Sequence, residues 1–334
     1  MKPDIYFGAI ARSYYERRPL TLIDVGARGG LQPNWSQARA HLRLVGFEPE
    51  PAEHARLTAS ASNQVVYINA AAAGETGVST LNVGREGGTS SLLLPNMTFL
   101  QRFPRAERYD IVERAAISTD RLDALLPRHD VTDPDFIKID TQGAELGVLE
   151  GARETLARAV LGVEVEVLFA PLYQGQPSFG AVDDYLRRSG FQLFDLRPSY
   201  WKRKAGARYG GPKGQLVFGD ALYFKTEDRL REQLLAVADE FEHASKLLRA
   251  LSVCLIYGYV DYAIELLEGN EDALPRDIAV AIKAQLSSDT RLSTRMPHFR
   301  GRGLLSHVFY RLHRALFPTA GGWASGGRHL GNVD

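Results

Sequence analysis

The sequence predicts an α/β protein: a mostly parallel sheet flanked by helices, with an antiparallel hairpin at one edge and a C-terminal helical extension. Three observations predict it. Apolar runs of strand length alternate with helical periodicity from residue 20 to residue 189. Two of those runs, ending at Asp24-Val-Gly26 and Ile139-Asp140, lead into glycine-containing turns. The last two runs, residues 191–196 and 215–224, follow one another without a helical segment and read as a hairpin.

Each element has its own signal. Residues 1–18 carry helical periodicity through Ile5, Ile10 and Tyr14 and lead in to the first strand. Leu20, Leu22, Ile23 and Val25 are apolar enough for a strand buried on both faces, and the glycines after it allow positive φ and close approach of a ligand to the backbone. A helix is expected soon after Pro33. The next run, Leu44-Val-Gly46-Phe, ends at Glu48-Pro49, followed by a helix over 51–61, a strand over 64–69 and a small-residue turn over 70–74. Short β pieces at 79–83 and around 111–117 flank the loop Gly87-Gly88-Thr89-Ser90-Ser91, an insertion long for a simple crossover and able to cover a site. A strand over 136–140, a helix over 143–156, a strand over 161–169 and a helix over 179–189 complete the alternation. The run Tyr200-Trp201-Lys202-Arg203-Lys204 falls in the hairpin connection, either as a surface that stacks on a sugar and holds an anion or as an exposed loop with one buried tryptophan.

Beyond the sheet the pattern becomes helical, over 230–251, 255–267 and 278–286, as a small bundle or a helical hairpin without a convincing repeat. From Arg295 to the end there are six arginines, at 295, 300, 302, 311, 314 and 328, against the single acid Asp334. Within that stretch Leu304, Leu305, Val308, Phe309, Leu312, Leu316 and Phe317 recur at helical spacing, so the segment either lies on an anionic membrane or assembly partner or docks on its own domain. The glycine-rich end, 321–331, is expected to fray. The chain thus divides into an α/β domain (1–226), a helical extension (227–290) and a basic amphipathic, partly flexible tail (291–334).

Composition narrows the class. The 334 residues are 45% hydrophobic and 24% charged with zero formal net charge, which fits a globular protein and gives no global pull toward nucleic acid. The single Cys254 excludes an internal disulfide framework and a multi-cysteine metal site, and its apolar helical setting reads as a buried thiol. No stretch approaches a membrane span, and a cytoplasmic enzyme, with the tail as its one membrane-facing element, is the expectation.

The turn chemistry narrows it further. Asp24-Val-Gly-Ala-Arg-Gly-Gly30 lacks the Gly-x-Gly-x-x-Gly spacing that cradles a pyrophosphate, so a dinucleotide is disfavoured. Glu48 ends the next strand about twenty residues on, where an acid accepts hydrogen bonds from ribose hydroxyls. Asp24 suits a cationic amino-acid group rather than a phosphate. The ligand that combines ribose, adenine and an ammonium group is S-adenosylmethionine. Asp140 emerges at the carboxyl edge of the sheet beside that crevice, and Glu145 falls in the first turn of the following helix, where capping is the simpler role. Val163-Glu164-Val165-Glu166-Val167 alternates strictly, which puts both glutamates on one face. They either pair with cations or backbone donors or, with Asp140, form an oxygen-rich divalent cation site or supply a general base, Glu166 lying nearer the active edge. His41, His54 and His129 abut none of these motifs.

Asp24 to Gly30, Gly46-Phe-Glu48-Pro49, Gly88-Thr-Ser-Ser-Leu92 and Ile137-Lys-Ile-Asp140-Thr-Gln-Gly143-Ala-Glu145 through Gly151 together resemble the FkbM family of S-adenosylmethionine-dependent methyltransferases, over about residues 20–225. The resemblance implies a Rossmann-like class I methyltransferase sheet and methylation of hydroxyl oxygens on sugars or other natural products. It implies that Asp24, Gly26 and Gly30 meet the methionine end of the cofactor, Glu48 its ribose, and residues 69–71 its adenine. The expected cofactor-binding set is Asp24, Gly26, Ala27, Gly30, Glu48, Pro49, Ala71 and Asp140, with Asp140 and Glu166 as the catalytic pair. Arg28 stands where the family usually has Asn, and Gln142 where it usually has Glu, which weakens a metal role for that loop. The expected partner is a small-molecule or glycan acceptor. A cofactor-binding scaffold that recruits partners through its tail is the alternative.

Overall fold

The computed structural model describes residues 4–62, 64–206, 208–209, 214–287, 299–316, 323–325 and 330. After a short helix α1 (Arg12–Arg17), strands β1 (Leu20–Val25), β2 (Leu42–Phe47) and β3 (Val65–Ile68) run parallel. A 3-10 segment over Pro33–His41 follows the first turn, and α2 (Pro51–Thr58) the second. β4 (Ala71–Ala72), β5 (Gly77–Gly84) and β6 (Ile111–Asp120) form a separate small sheet, with the glycine-serine loop and α3 (Met97–Leu100) between β5 and β6. The chain returns through α4 (Leu122–Arg128) to β7 (Phe136–Ile139), then α5 (Glu145–Glu150), α6 (Arg153–Arg158), β8 (Gly162–Leu168), α7 (Phe179–Arg188) and the hairpin β9 (Phe191–Trp201) and β10 (Gln215–Lys225). Helices α8 (Glu227–Leu235), α9 (Glu240–Ile256), α10 (Val260–Gly269), α11 (Arg276–Ser287) and α12 (Arg302–Leu316) follow, and Trp323–Ser325 forms β11.

Among the described residues the main sheet runs β11-β9-β10-β8-β7-β1-β2-β3, parallel from β8 to β3 and antiparallel at the hairpin edge, as the sequence pattern predicts. Both faces of the central strands are covered. Ile23, Val25, Ile137, Ile139, Val163 and Val165 point into a core closed by α4 to α7. Leu20, Leu22, Phe136, Leu222 and Phe224 point the other way and share one core with Leu247, Leu251 and Tyr257 of the helical extension. The extension is therefore one wall of the sheet's own core, and α9 is buried on every side from Ala244 to Ile256, Cys254 included.

Two expected long helices are divided. The span expected over 143–156 becomes α5 and α6, because a Cβ at Gly151 would lie 2.2 Å from the Ala73 carbonyl oxygen and because Asp123 accepts the N–H groups of Glu154 and Thr155 at 2.9 Å each, starting a new helix. The span expected over 230–251 breaks before α9, where Asp239 caps the N–H of Glu242 at 2.9 Å. The aromatic and basic run also differs from a loop: β9 continues through Tyr200 and Trp201, and Trp201 is buried against Phe103 and Tyr109. That selects the buried-tryptophan reading over a sugar-stacking surface. Within the end expected to fray, Trp323–Ser325 pairs antiparallel with Ser199–Trp201 of β9. Arg295, Phe317, Arg328 and most of the glycine-rich end lie outside the described residues. Among the described residues, no helix is long and apolar enough to cross a membrane.

Candidate active site

β1 and β7 are neighbours whose crossovers leave in opposite directions along the sheet, so a crevice opens at their carboxyl ends. Hydrogen bonds beyond the strand ladders lock that edge. Asp140 N–H donates to the Val25 carbonyl at 2.9 Å, Gly26 and Ala27 N–H both donate to Phe47 at 3.0 and 3.1 Å, and Glu48 N–H donates to Ile68 at 3.0 Å. Gly26 has φ +81°, and a Cβ there would fall 2.0 Å from the Asp140 carbonyl oxygen. Only glycine lets the first turn and the Asp140 turn close on each other.

A cleft of about 190 Å³, open to solvent, lies above this edge. Of the expected cofactor set, Gly26, Glu48, Pro49, Ala71 and Asp140 line it. Glu48 is buried, its Oε1 accepts the Glu50 N–H at 2.9 Å, and burial pushes its carboxyl above the usual range. Asn69 Nδ2 donates to the carbonyls of Glu48 and Pro49 at 2.9 and 3.1 Å, fixing the turn that presents them. Asp24, Ala27 and Gly30 lie off the cleft wall. Asp24 points to the opposite sheet face from Val25 and meets Lys138 Nζ at 3.0 Å, both groups buried. Burial raises the Asp24 carboxyl while Lys138 opposes it; for Lys138, burial is outweighed by Asp24 and Asp140, which hold the ammonium above its usual range. Ala27 packs under Gly46, where a Cβ would lie 2.8 Å from it. Arg28 lines the cleft, ion-paired with Glu50 and 3.9 Å from Glu53, with its guanidinium against Gly87.

The glycine-serine loop does cover the site. Gly87, Gly88, Ser90, Ser91 and Leu92 line the cleft opposite the strand ends. Ser91 Oγ donates to the Gln142 carbonyl at 2.7 Å, and Tyr173 Oη donates to the Thr89 carbonyl at 3.2 Å and to Gln142 Oε1 at 2.9 Å. The loop is thus tied to the turn that follows Asp140.

Beneath that turn lies a strip of ionisable groups on one sheet face. Register places Lys138 beside Asp24 on one side and Glu164 on the other, and places Asp220 between Glu166 and Arg197. Glu164 is held by neutral donors, Tyr257 at 2.7 Å and Gln32 at 3.3 Å, and Asp220 by Arg197 at 2.6 Å. Gln142, at φ +56°, donates from one Nε2 to Asp140 Oδ1 at 2.7 Å and to Glu166 Oε2 at 2.9 Å. Two carboxylates thus share one amide group. Burial pushes Glu166 well above the usual carboxylate range, and nearby Asp140 and Glu145 push it further. Glu166 is buried and does not line the cleft, whereas Asp140 is half-buried and does. Glu145 accepts N–H from Thr141 at 3.0 Å and from Gly143 at 2.9 Å, and burial lifts its carboxyl to about 7. It pins the turn that leads into α5.

Among the described residues, no three His, Cys, Asp or Glu side chains gather in a metal-binding arrangement. His41, His54 and His129 do not line the cleft. Sequence reasoning passed over Lys138 and Tyr173, and read Gln142 only as a departure that weakens a metal role. A lysine inside the apolar run Phe-Ile-Lys-Ile was a readable signal of a buried partner, since a charge on a buried strand requires one. Tyr173, distant in sequence and in no motif, carried none.

The methyltransferase FkbM domain model matches residues 24–193, which spans this edge of the sheet, the covering loop and α7. No curated protein matches the sequence. Solved structures are similar at a distance. A methyltransferase FkbM from Methylobacillus flagellatus is 17% identical, with 62% of this chain covering 43% of that one at a TM-score of 0.35. The magnesium protoporphyrin IX methyltransferase of Synechocystis, solved with bound SAM, is 9% identical over 65% of this chain and 76% of its own, at 0.31. The 1,6-didemethyltoxoflavin-N1-methyltransferase of Burkholderia thailandensis, solved with S-adenosylhomocysteine, is 12% identical over 67% and 79%, at 0.28. The chain spans less than half the length of the Methylobacillus protein. With more than half of its residues matched by the domain model and the glycine turn, Glu48 and Asp140 converging on one cleft, the chain belongs to the FkbM family of S-adenosylmethionine-dependent methyltransferases.

Proposed function

We propose that this protein methylates a hydroxyl oxygen of a sugar, glycan, glycolipid or other natural product in the cytoplasm, with Asp140 as the general base. The observation that carries the reading is the position of Asp140: the residue lines the cleft, and its carboxylate is held on one oxygen by the Gln142 amide. A hydroxyl, unlike an amine, is a poor nucleophile until a base removes its proton.

The cleft fits the donor on its own chemistry. Glu48 offers carboxylate oxygens to a ribose diol, Gly26 lets the ligand approach the backbone, and Pro49 and Ala71 give apolar contact for a purine. Asp24 acts from behind the wall, neutralising Lys138, while Ala27 and Gly30 shape the turn. The bound sulfonium supplies an activated methyl carbon. The chain's own residues would align the acceptor oxygen toward that carbon, exclude water beneath the Gly87–Leu92 loop, and take the hydroxyl proton at an Asp140 oxygen. Glu166 is a positioning residue, acting through Gln142. A divalent cation would have to displace Gln142 from between the two carboxyls, so proton transfer without one is the reading we favour.

The test is Asp140→Asn. Donor binding by calorimetry should remain, while turnover to S-adenosylhomocysteine with a panel of glycan and small hydroxyl acceptors falls by about 10²–10⁴. Wild-type turnover in this variant would refute the base, and turnover only with amine acceptors would refute the hydroxyl.

A further inference from the structure

We propose that α12 is an interfacial anchor that seats the protein on an anionic lipid surface. On its apolar side Leu304, Leu305, Val308, Phe309, Leu312 and Leu316 are all exposed, Leu316 at 84% and Leu304 at 72% of full exposure. None of them enters a core cluster, so the helix does not use this side to dock on its own domain. At about 100° per residue these side chains occupy a sector of about 140°. Arg302 falls at one border of that sector and Arg311 at the other. A contiguous apolar sector on a surface helix marks an interaction site.

Charge selects the occupant. From Phe299 to Leu316 the sequence has four arginines, at 300, 302, 311 and 314, and no Asp or Glu, in a chain whose formal net charge is zero. Phe299 is itself 44% exposed just before the helix. Apolar side chains on one side, cations along its borders and no acid anywhere describe a helix that lies in a headgroup layer, its leucines in the acyl boundary and its arginines on phosphate. A self-association surface needs no such excess of one sign, because two copies would bring their arginines together. The anchor stands independently of the acceptor.

The experiment is co-sedimentation of the full chain with vesicles of phosphatidylcholine alone or of equimolar phosphatidylcholine and phosphatidylglycerol, at physiological salt. Binding to the mixed vesicles alone is expected. Arg302→Gln with Arg311→Gln should weaken it about 25-fold, roughly five-fold per arginine near an anionic surface. Leu305→Ser with Phe309→Ser and Leu312→Ser should abolish it, with donor binding in the same samples unchanged. No binding to mixed vesicles, equal binding to both kinds, or an unaffected triple variant would each overturn the proposal. So would sedimentation velocity showing a dimer that the triple variant dissolves, since the sector would then be an interface between copies.

Discussion

Arg249 of α9 is the sharpest place to test how the helical extension supports the site. The residue is 2% exposed, with its guanidinium Nε 2.8 Å from Asp135, Nη1 2.8 Å from Ser245 and an ion pair to Asp133. Asp135 is fully buried and also accepts the Thr21 N–H at 2.8 Å, so it joins the start of β1 to the start of β7, the two strands whose far ends carry Gly26 and Asp140. Arg249→Met keeps the stem packed and deletes the charge. Asp135 is then a buried carboxylate with one backbone donor, and removing one partner of a buried pair costs about 3–5 kcal/mol. With a urea m-value of about 3 kcal/mol/M for a chain of this size, the midpoint should fall by about 1–1.7 M in equilibrium unfolding followed by far-ultraviolet circular dichroism. The difference from wild type should narrow in acid, because burial already raises the Asp135 carboxyl and protonation relieves the stranded charge. Asp135→Asn in the Arg249→Met background should recover part of the loss. A midpoint shift below about 0.3 M, which is about 0.9 kcal/mol at that m-value, would refute the reasoning. A biphasic transition in which only a minor helical phase moves would refute the shared core.

Three further outcomes follow from the site. Gly26→Ala adds about 1–2 kcal/mol of left-handed strain and a methyl 2.0 Å from the Asp140 carbonyl oxygen, so Asp140 must shift and turnover should fall about 100-fold in steady-state assays; unchanged turnover would show that the two turns need not touch. Glu166→Gln should keep most of the turnover that Asp140→Asn loses, because Glu166 lies off the cleft and reaches the Asp140 turn only through Gln142; an equal loss in both variants would make Glu166 a base in its own right. Glu145, lifted to about 7 from an ordinary 4.5, binds its proton more tightly folded than unfolded, so stability should decline by about 3 kcal/mol as pH rises from about 4.5 to 7 and then level off. Glu145→Gln should remove that slope in denaturant titrations across the window, and a persistent slope would assign it elsewhere.

The mostly parallel sheet and its ligand edge were largely legible because a parallel sheet buried on both faces demands long apolar runs, and its ligand edge demands glycine where backbones meet. Leu20 to Gly30 and Phe136 to Gly143 carry both signals. Helix lengths were less legible. Gly151 and Asp123 end one helix and start another through contacts with Ala73, Glu154 and Thr155 that periodicity does not encode. The tail segment 323–325 offered only a glycine-rich context, and its strand exists because β9 has a free edge to pair with.

Asp24 shows where the two levels part. By itself the sequence determined that an acid ends the first strand and that the turn after it cannot cradle a pyrophosphate, since residue type and spacing are local properties. Which way that acid faces is a matter of strand alternation and of what lies across the ladder. Lys138, more than a hundred residues away, meets Asp24 behind the wall and leaves Gly26, Glu48 and Asp140 to face the cleft. Gln142 likewise became a bridge only when β8 brought Glu166 beside it. A lone buried carboxylate is unstable wherever it sits, so its partner, and with it its role, is decided by the strands that pack around it.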